Sequence, residues 1–189
     1  MRIRTIAEHE ATGPVKIEYD RLIEKFGMVP NVTKTFSIWP EIFQLHNELY
    51  QKIMVEQTRL PKAIKQLIAV LVARAVSCDY LLYWHTRFLT LLGMNEEIIN
   101  CVRGELHQTP IDDKTMCLLE FVDRMARDSV SLTPAEVDRL REHGFSDEEV
   151  LEAAVVVGYF SFLTRIVNAL GVEMERSQGP SVVGGEGES

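Results

Sequence analysis

The stretch Ser77-Cys78-Asp79-Tyr80-Leu81-Leu82-Tyr83-Trp84-His85-Thr86 sits inside an apolar run from Lys62 to Leu92. On a helix, residues 78, 81, 82 and 85 stand at i, i+3, i+4 and i+7, so Cys78, Leu81 and His85 share a face. A cysteine at position 81 would make the stretch Cys-x-x-Cys-x-x-x-His, a dithiol with a base one turn further along. Leu81 stands there instead. A dithiol cycles between thiol and disulfide within one chain, and a lone thiol cannot. The run around this stretch is rich in Ile, Leu, Val and Ala on nearly all faces, which predicts helices buried in a core or an oligomer interface. A bend near Ser77-Cys78 divides it into two helices of ordinary length.

Outward from this centre, helical spacing recurs and strand signals are nearly absent, so the expected class is all-α. Towards the N-terminus, Val15 to Phe26 forms an amphipathic segment stopped by Gly27. Pro30-Asn31 starts a short helix through Phe36, and Trp39-Pro40 breaks it because proline disfavours the α conformation of the residue before it. Glu41 to Glu56 restarts as a longer helix with Ile42, Leu45, Leu49, Ile53 and Met54 on one side. Leu60-Pro61 opens the central run, with Pro61 tolerated in a first turn. After Gly93, Asn95-Glu96-Glu97 opens a short helix, and Thr115 to Arg127 forms the next. Thr133-Pro134-Ala135-Glu136 reads as a capping box before Val137 to Glu142. Ser146 to Glu149 is a second one before a long apolar helix, Val150 to Leu170, ended by Gly171. Gly93 to Ile99 echoes Gly144 to Leu151 with one residue inserted, a pattern that a duplication or two independent glycine stops can produce. One domain over 1–176 is expected, with a Gly/Ser/Glu-rich disordered tail over 177–189.

The 189 residues are enough for one full-sized core, and 46% hydrophobic with 25% charged residues is ordinary for a globular protein. A net charge of −8 without a Lys/Arg cluster argues against nucleic acid as a partner. Lys65, Arg74, Asp79 and Arg87 interrupt the longest apolar stretches, so no membrane span is expected. No charged segment followed by an apolar one opens the chain, and Cys78, Cys101 and Cys117 are odd in number and widely spaced. Both features favour a reducing cytoplasm over secretion. The histidines show no His-x-x-x-His spacing and no Gly-rich phosphate loop is present, so neither a metal nor another cofactor is expected.

The run Leu60-Pro61, Lys65-Gln66-Leu67, Val72-Ala73-Arg74, Ser77 to Leu81 and His85-Thr86 resembles the core of the AhpD-like and carboxymuconolactone decarboxylase superfamily. Pro30-Asn31, Pro40-Glu41 and the late run Tyr159-Phe160 with Arg165 to Val172 are similar to its longer, peroxidase-related branch. The resemblance covers about residues 15 to 175. It implies an all-α, AhpD-like multi-helical orthogonal bundle whose protomers assemble as trimers or hexamers, with sites close to subunit contacts. It also implies a small-molecule substrate. In the redox members a Glu and a His relay protons, the second cysteine attacks peroxide, and the first resolves the sulfenic acid.

Matched position by position, the pattern is half kept. His85 takes the relay histidine's place and Cys78 the resolving cysteine's. Leu81 takes the attacking cysteine's place, and Gln66 replaces the relay acid. An amide cannot accept and release a proton as a carboxylate does. The candidate catalytic residues are therefore His85, Cys78 and Gln66, and the candidate substrate-binding residues are Tyr80, Leu81, Trp84 and Tyr159. The bland alternatives are a core cysteine at a helix bend, a satisfied histidine amid Tyr80, Tyr83, Trp84 and Phe88, and Tyr159 and Phe160 as plain core. Three functions stay open. One is a peroxidase-related oxidoreductase using Cys78 alone. The second is proton-transfer chemistry by His85 on a small carboxylate or lactone, as on the decarboxylase side of the superfamily. The third is a non-catalytic oligomeric binding relative.

Overall fold

A computed structural model describes residues 1–175, and the tail expected over 177–189 lies outside them. Among the described residues there are helices and turns and no strand, as an all-α chain requires. Two compact units are distinguished among the described residues. One is 1–51 with 170–175, and the other is Lys52–Ala169.

The first unit holds α1 (Gly13–Phe26), α2 (Asn31–Lys34) and α3 (Pro40–Tyr50). Gly27 closes α1 in the left-handed region at φ 72°, where its N–H meets the Ile23 carbonyl at 2.8 Å. Aromatic pairs fill the core: Tyr19 meets Phe43 edge-on at 5.7 Å, and Phe36 stacks on His46 at 4.1 Å. Burial pushes His46 down to about 4. The predicted apolar side of α3 is therefore corrected. Phe43 and His46 face inward, while Leu45 and Leu49 are exposed. The two inward rings each find a ring partner, and aromatic pairs add stabilisation beyond area burial. The chain after Leu170 returns along the N-terminus through Arg2 N–H to the Leu170 carbonyl at 2.7 Å, and Met1 to Glu173 at 2.7 Å.

The second unit opens within a π-helical turn, Gln51–Val55, that ends the regular helix earlier than the predicted Glu56. It contains α4 (Lys62–Ala75), α5 (Asp79–Leu91), α6 (Glu96–Arg103), α7 (Asp113–Asp128), α8 (Pro134–Glu142) and α9 (Asp147–Leu170). α4 is the centre. Every residue from Leu67 to Ala73 is at most 1% exposed, so it is covered on all sides, and α5, α6 and α7 pack against it. Thr133 and Glu136 form the predicted capping box of α8. The two echoing starts differ. Asn95 caps α6 by accepting from Glu97 N–H at 2.7 Å, whereas Ser146 and Glu149 cap α9 reciprocally at 3.2 and 2.8 Å.

α9 is the longest apolar helix among the described residues. Its 24 residues are long and apolar enough to cross a bilayer by length and composition. The interrupting charges that motivated the expectation of no membrane span lie in α4 and α5. Within its unit α9 buries Ala153, Val156, Val157, Phe160, Leu163 and Val167, the pattern of a core helix.

The break between α4 and α5 falls at the predicted place. Ser77 adopts φ 51°, a left-handed conformation normally taken by glycine. Cys78 N–H bonds the Ala73 carbonyl at 2.8 Å and Ser77 N–H the Arg74 carbonyl at 3.2 Å. This is the Schellman closure, which satisfies the last carbonyls of α4 and turns the chain at once into α5. Cys78 and Ala73, the residues flanking the closure, are both 0% exposed.

Candidate active site

Gln66 stands in the second turn of α4 and His85 in the middle of α5, on the faces that these two helices press together. Gln66 Oε1 and His85 Nδ1 are 2.5 Å apart, 19 residues distant in sequence. A carbonyl oxygen can only accept, so with the amide in this orientation Nδ1 carries the hydrogen and Nε2 is left with its lone pair. Neither His85 Nε2 nor the Gln66 amide nitrogen has a hydrogen-bond partner among the described residues. Both side chains are buried, His85 to 3% exposure. Phe160 from α9 meets the imidazole edge-on at 4.6 Å, and Phe88 lies 5.9 Å away. Without a charged partner, burial lowers the His85 pKa to about 3, so the ring is neutral at pH 7.

Cys78 lies on the same face of α5 but at its start, as the residue before the first helical turn. Seven residues at about 1.5 Å each separate it from His85 by roughly 10 Å along the axis. Burial raises its thiol pKa, and the peptide N–H groups of Leu81 and Tyr80 act the other way without forming a cap hydrogen bond. The Cys78 thiol is fully buried and protonated at neutral pH, the opposite of a reactive cysteine. Leu81, buried to 2%, occupies the helix position between the thiol and the histidine. The geometry thus joins two of the three candidate catalytic residues and sets the third apart.

Tyr80, Trp84 and Tyr159 are all buried. Trp84 meets Tyr83 edge-on at 5.2 Å and Phe88 at 6.3 Å. Tyr159 packs on Phe160 at 5.1 Å, so Phe160 is the residue of that pair whose ring touches His85. Among the described residues no group of three or more His, Cys, Asp or Glu side chains gathers to hold a metal ion.

On the opposite side of α5, an open groove of about 730 Å³ runs from Asp79 past Thr86 and Arg87 to Thr90, with Arg103 of α6 on its rim. Gln66, Cys78 and His85 do not line it. The sequence offered no motif for this groove, because Arg87 and Arg103 come together only through the packing of α5 and α6.

No family model and no curated protein matches the sequence. Solved structures do match. An uncharacterized peroxidase-related protein from Silicibacter sp. TM1040 is 26% identical, with TM-score 0.81 over 91% of this chain and 92% of that one. An uncharacterized peroxidase-related protein with an alkylhydroperoxidase AhpD core, from Ralstonia eutropha JMP134, is 22% identical, with TM-score 0.84 over 93% and 92%. The debrominase Bmp8, as a cysteine-to-alanine variant in complex with 2,3,4-tribromopyrrole, is 18% identical with TM-score 0.77 over 91% of each chain. In its helices and their arrangement the chain has the AhpD-like all-α fold, and it is similar to solved peroxidase-related proteins of that fold.

Proposed function

We propose that this AhpD-like protein is a carboxymuconolactone-decarboxylase-like enzyme whose chemistry is proton transfer at His85 rather than reduction of peroxide. The observation that carries this reading is the buried 2.5 Å bond from His85 Nδ1 to Gln66 Oε1, which leaves Nε2 as a free base. Gln66 holds the ring in one tautomer without ever competing for its proton. The neutral imidazole is poised to take a proton from a substrate, and its conjugate acid then needs a negative charge beside it. A carboxylate or an enolate supplies that charge, so the substrate class is a small carboxylated or enolisable molecule. Phe88 and Phe160, which pack against the imidazole, favour a mostly apolar body. A structural neighbour that takes 2,3,4-tribromopyrrole supports a ring-sized ligand for this fold.

An assembly of identical protomers belongs to the same reading. Leu151, Val155 and Phe162 are exposed at i, i+4 and i+11 of α9, a stripe suited to burial against another copy.

The test compares wild type, His85→Gln and Cys78→Ser on β-keto acids and carboxylated lactones, following loss of substrate. Turnover should fall by about 10²- to 10⁴-fold in His85→Gln, the range for removing a general acid–base group. Cys78→Ser should retain it. Turnover that survives in His85→Gln overturns the reading.

A second reading is favoured by the two peroxidase-related neighbours: Cys78 as a single redox centre, reduced by an external thiol. It requires dithiothreitol-dependent consumption of tert-butyl hydroperoxide that disappears in Cys78→Ser.

A further inference from the structure

Two residues that line the groove on the outer side of α5 carry orphaned polar atoms. Arg87 Nε and Thr86 Oγ1 are buried atoms with no hydrogen-bond partner, and both residues line the groove. Buried polar atoms are almost always paired, so two neighbouring orphans require an account. Thr86 has a carbonyl one turn back to bond and does not use it. Neither the Arg87 nor the Arg103 guanidinium has an ion-pair or hydrogen-bond partner among the described residues. Other arginines of the same unit are engaged: Arg74 with Asp123 at 2.6 Å, Arg139 with Glu120 at 2.9 Å, and Arg141 with Asp138 and Asp147 at 2.7 and 2.8 Å. In a chain of net charge −8, two unpaired guanidinium groups on one concavity are a local exception.

The remaining lining sets the shape of what fits. Tyr83, Leu82 and Leu91 give an apolar wall, and Thr90 adds a hydroxyl. Asp79 lies eight residues from Arg87, about 12 Å along the helix axis, so it bars anions from one end and leaves the cationic end to them. We infer that this groove binds a small organic acid, with its carboxylate between Arg87 and Arg103 and its apolar body against Tyr83 and the two leucines. Planar guanidinium groups suit a carboxylate because they offer paired donors in a fixed fork. The site is separate from the His85 pair, because the two lie on opposite sides of α5, and it does not depend on the chemistry proposed there.

The probe is 4-(trifluoromethyl)benzoate, followed by fluorine NMR against the full chain. The neutral 4-(trifluoromethyl)benzamide is the control. Saturable binding of the benzoate is expected, about tenfold or more tighter than the benzamide and weakened by salt. Arg103→Gln, an exposed position whose change leaves the core intact, should weaken it about tenfold. Arg87→Gln should do at least as much, with its thermal melt recorded to confirm folding. His85→Gln should leave binding unchanged. Equal affinity for benzoate and benzamide, or an unaltered affinity in Arg103→Gln, overturns the inference. So does loss of benzoate binding in His85→Gln, which moves the ligand to the other side of the helix. Dissociation of an oligomer by Arg103→Gln with no change in benzoate affinity also overturns it, and makes the groove a contact between copies.

Discussion

Gln66 and His85 are joined side chain to side chain at 2.5 Å across the α4–α5 contact, and the partner that the imidazole meets is an amide rather than a carboxylate. This fixes a tautomer. Nitrogen-15 NMR of the imidazole should show Nδ1 protonated and Nε2 bare throughout pH 5 to 8. Gln66→Glu should raise the His85 pKa well above its present value of about 3, because a carboxylate stabilises the imidazolium that an amide does not. An unchanged titration in Gln66→Glu would mean that the two side chains do not meet in solution.

Stability should depend on pH through the buried histidines. His85 titrates near 3 and His46 near 4, both well below the ordinary 6.5 because burial disfavours the charged ring. Below 6.5 the unfolded chain takes up protons that the folded chain refuses, so protonation favours unfolding. Their contribution is complete above about pH 6.5 and is lost as pH falls from there towards 4 and then 3. Each histidine contributes a slope of at most about 1.4 kcal/mol per pH unit in that window. Urea unfolding at pH 7.5 and 5.0 measures it. The difference should shrink in His85→Phe.

Thiol labelling should rank the cysteines by access. Cys101 is only partly buried, with Sγ 3.5 Å from the Gln108 carbonyl, while Cys78 and Cys117 are buried with raised thiol pKa values. Mass spectrometry after brief iodoacetamide treatment should find Cys101 modified first, and Cys78 only on unfolding. Leu81→Cys should supply the missing sulfur. Residues three apart on a helix are neighbours, so mild oxidation should join the introduced thiol to Cys78 in a disulfide, read as a loss of two hydrogens. Its absence would show that this face cannot support the dithiol.

Lys65 is fully buried and lies 3.8 Å from Glu152 of α9, with Nζ bonded to Thr58 Oγ1 at 2.7 Å. Glu152 also accepts from the Thr58 hydroxyl and from the peptide N–H of Arg59, so the pair fastens the 58–60 turn onto α4 and α9. Glu152→Ala strands a buried ammonium and should cost about 3–5 kcal/mol. Lys65→Met keeps the volume and removes the charge, and should cost clearly less. Equal losses in chemical denaturation would contradict the burial of Lys65.

The helices were legible because their signals are local. Gly27, Gly93 and Gly144, Pro61, and the Thr133–Glu136 box each mark an end without reference to the rest of the chain. The α4–α5 break was also readable, from the length of the apolar run. What stayed hidden depends on neighbours. α3 has two apolar sides, and only the positions of Tyr19 and Phe36 decide that Phe43 and His46 turn inward. Gln66 and His85 could be suspected as partners from the resemblance, but their hydrogen bond belongs to helix packing. The separation of Cys78 from His85 could be counted from the sequence. Its burial, which decides its chemistry, could not.

Ser77 sets the rotational phase of α5 against α4. One residue added or removed at this joint would turn α5 by about 100° relative to α4 and carry His85 away from Gln66. Ser77→Gly should be tolerated or stabilising by up to about 1 kcal/mol, because it relieves a left-handed serine and leaves the phase unchanged. Insertion of an alanine after Ser77 should abolish the histidine–glutamine bond even where both helices persist. The joint therefore works as an indexing device. While it holds, individual side chains on α5, including a sulfur at position 81, can be exchanged without moving the histidine from its address.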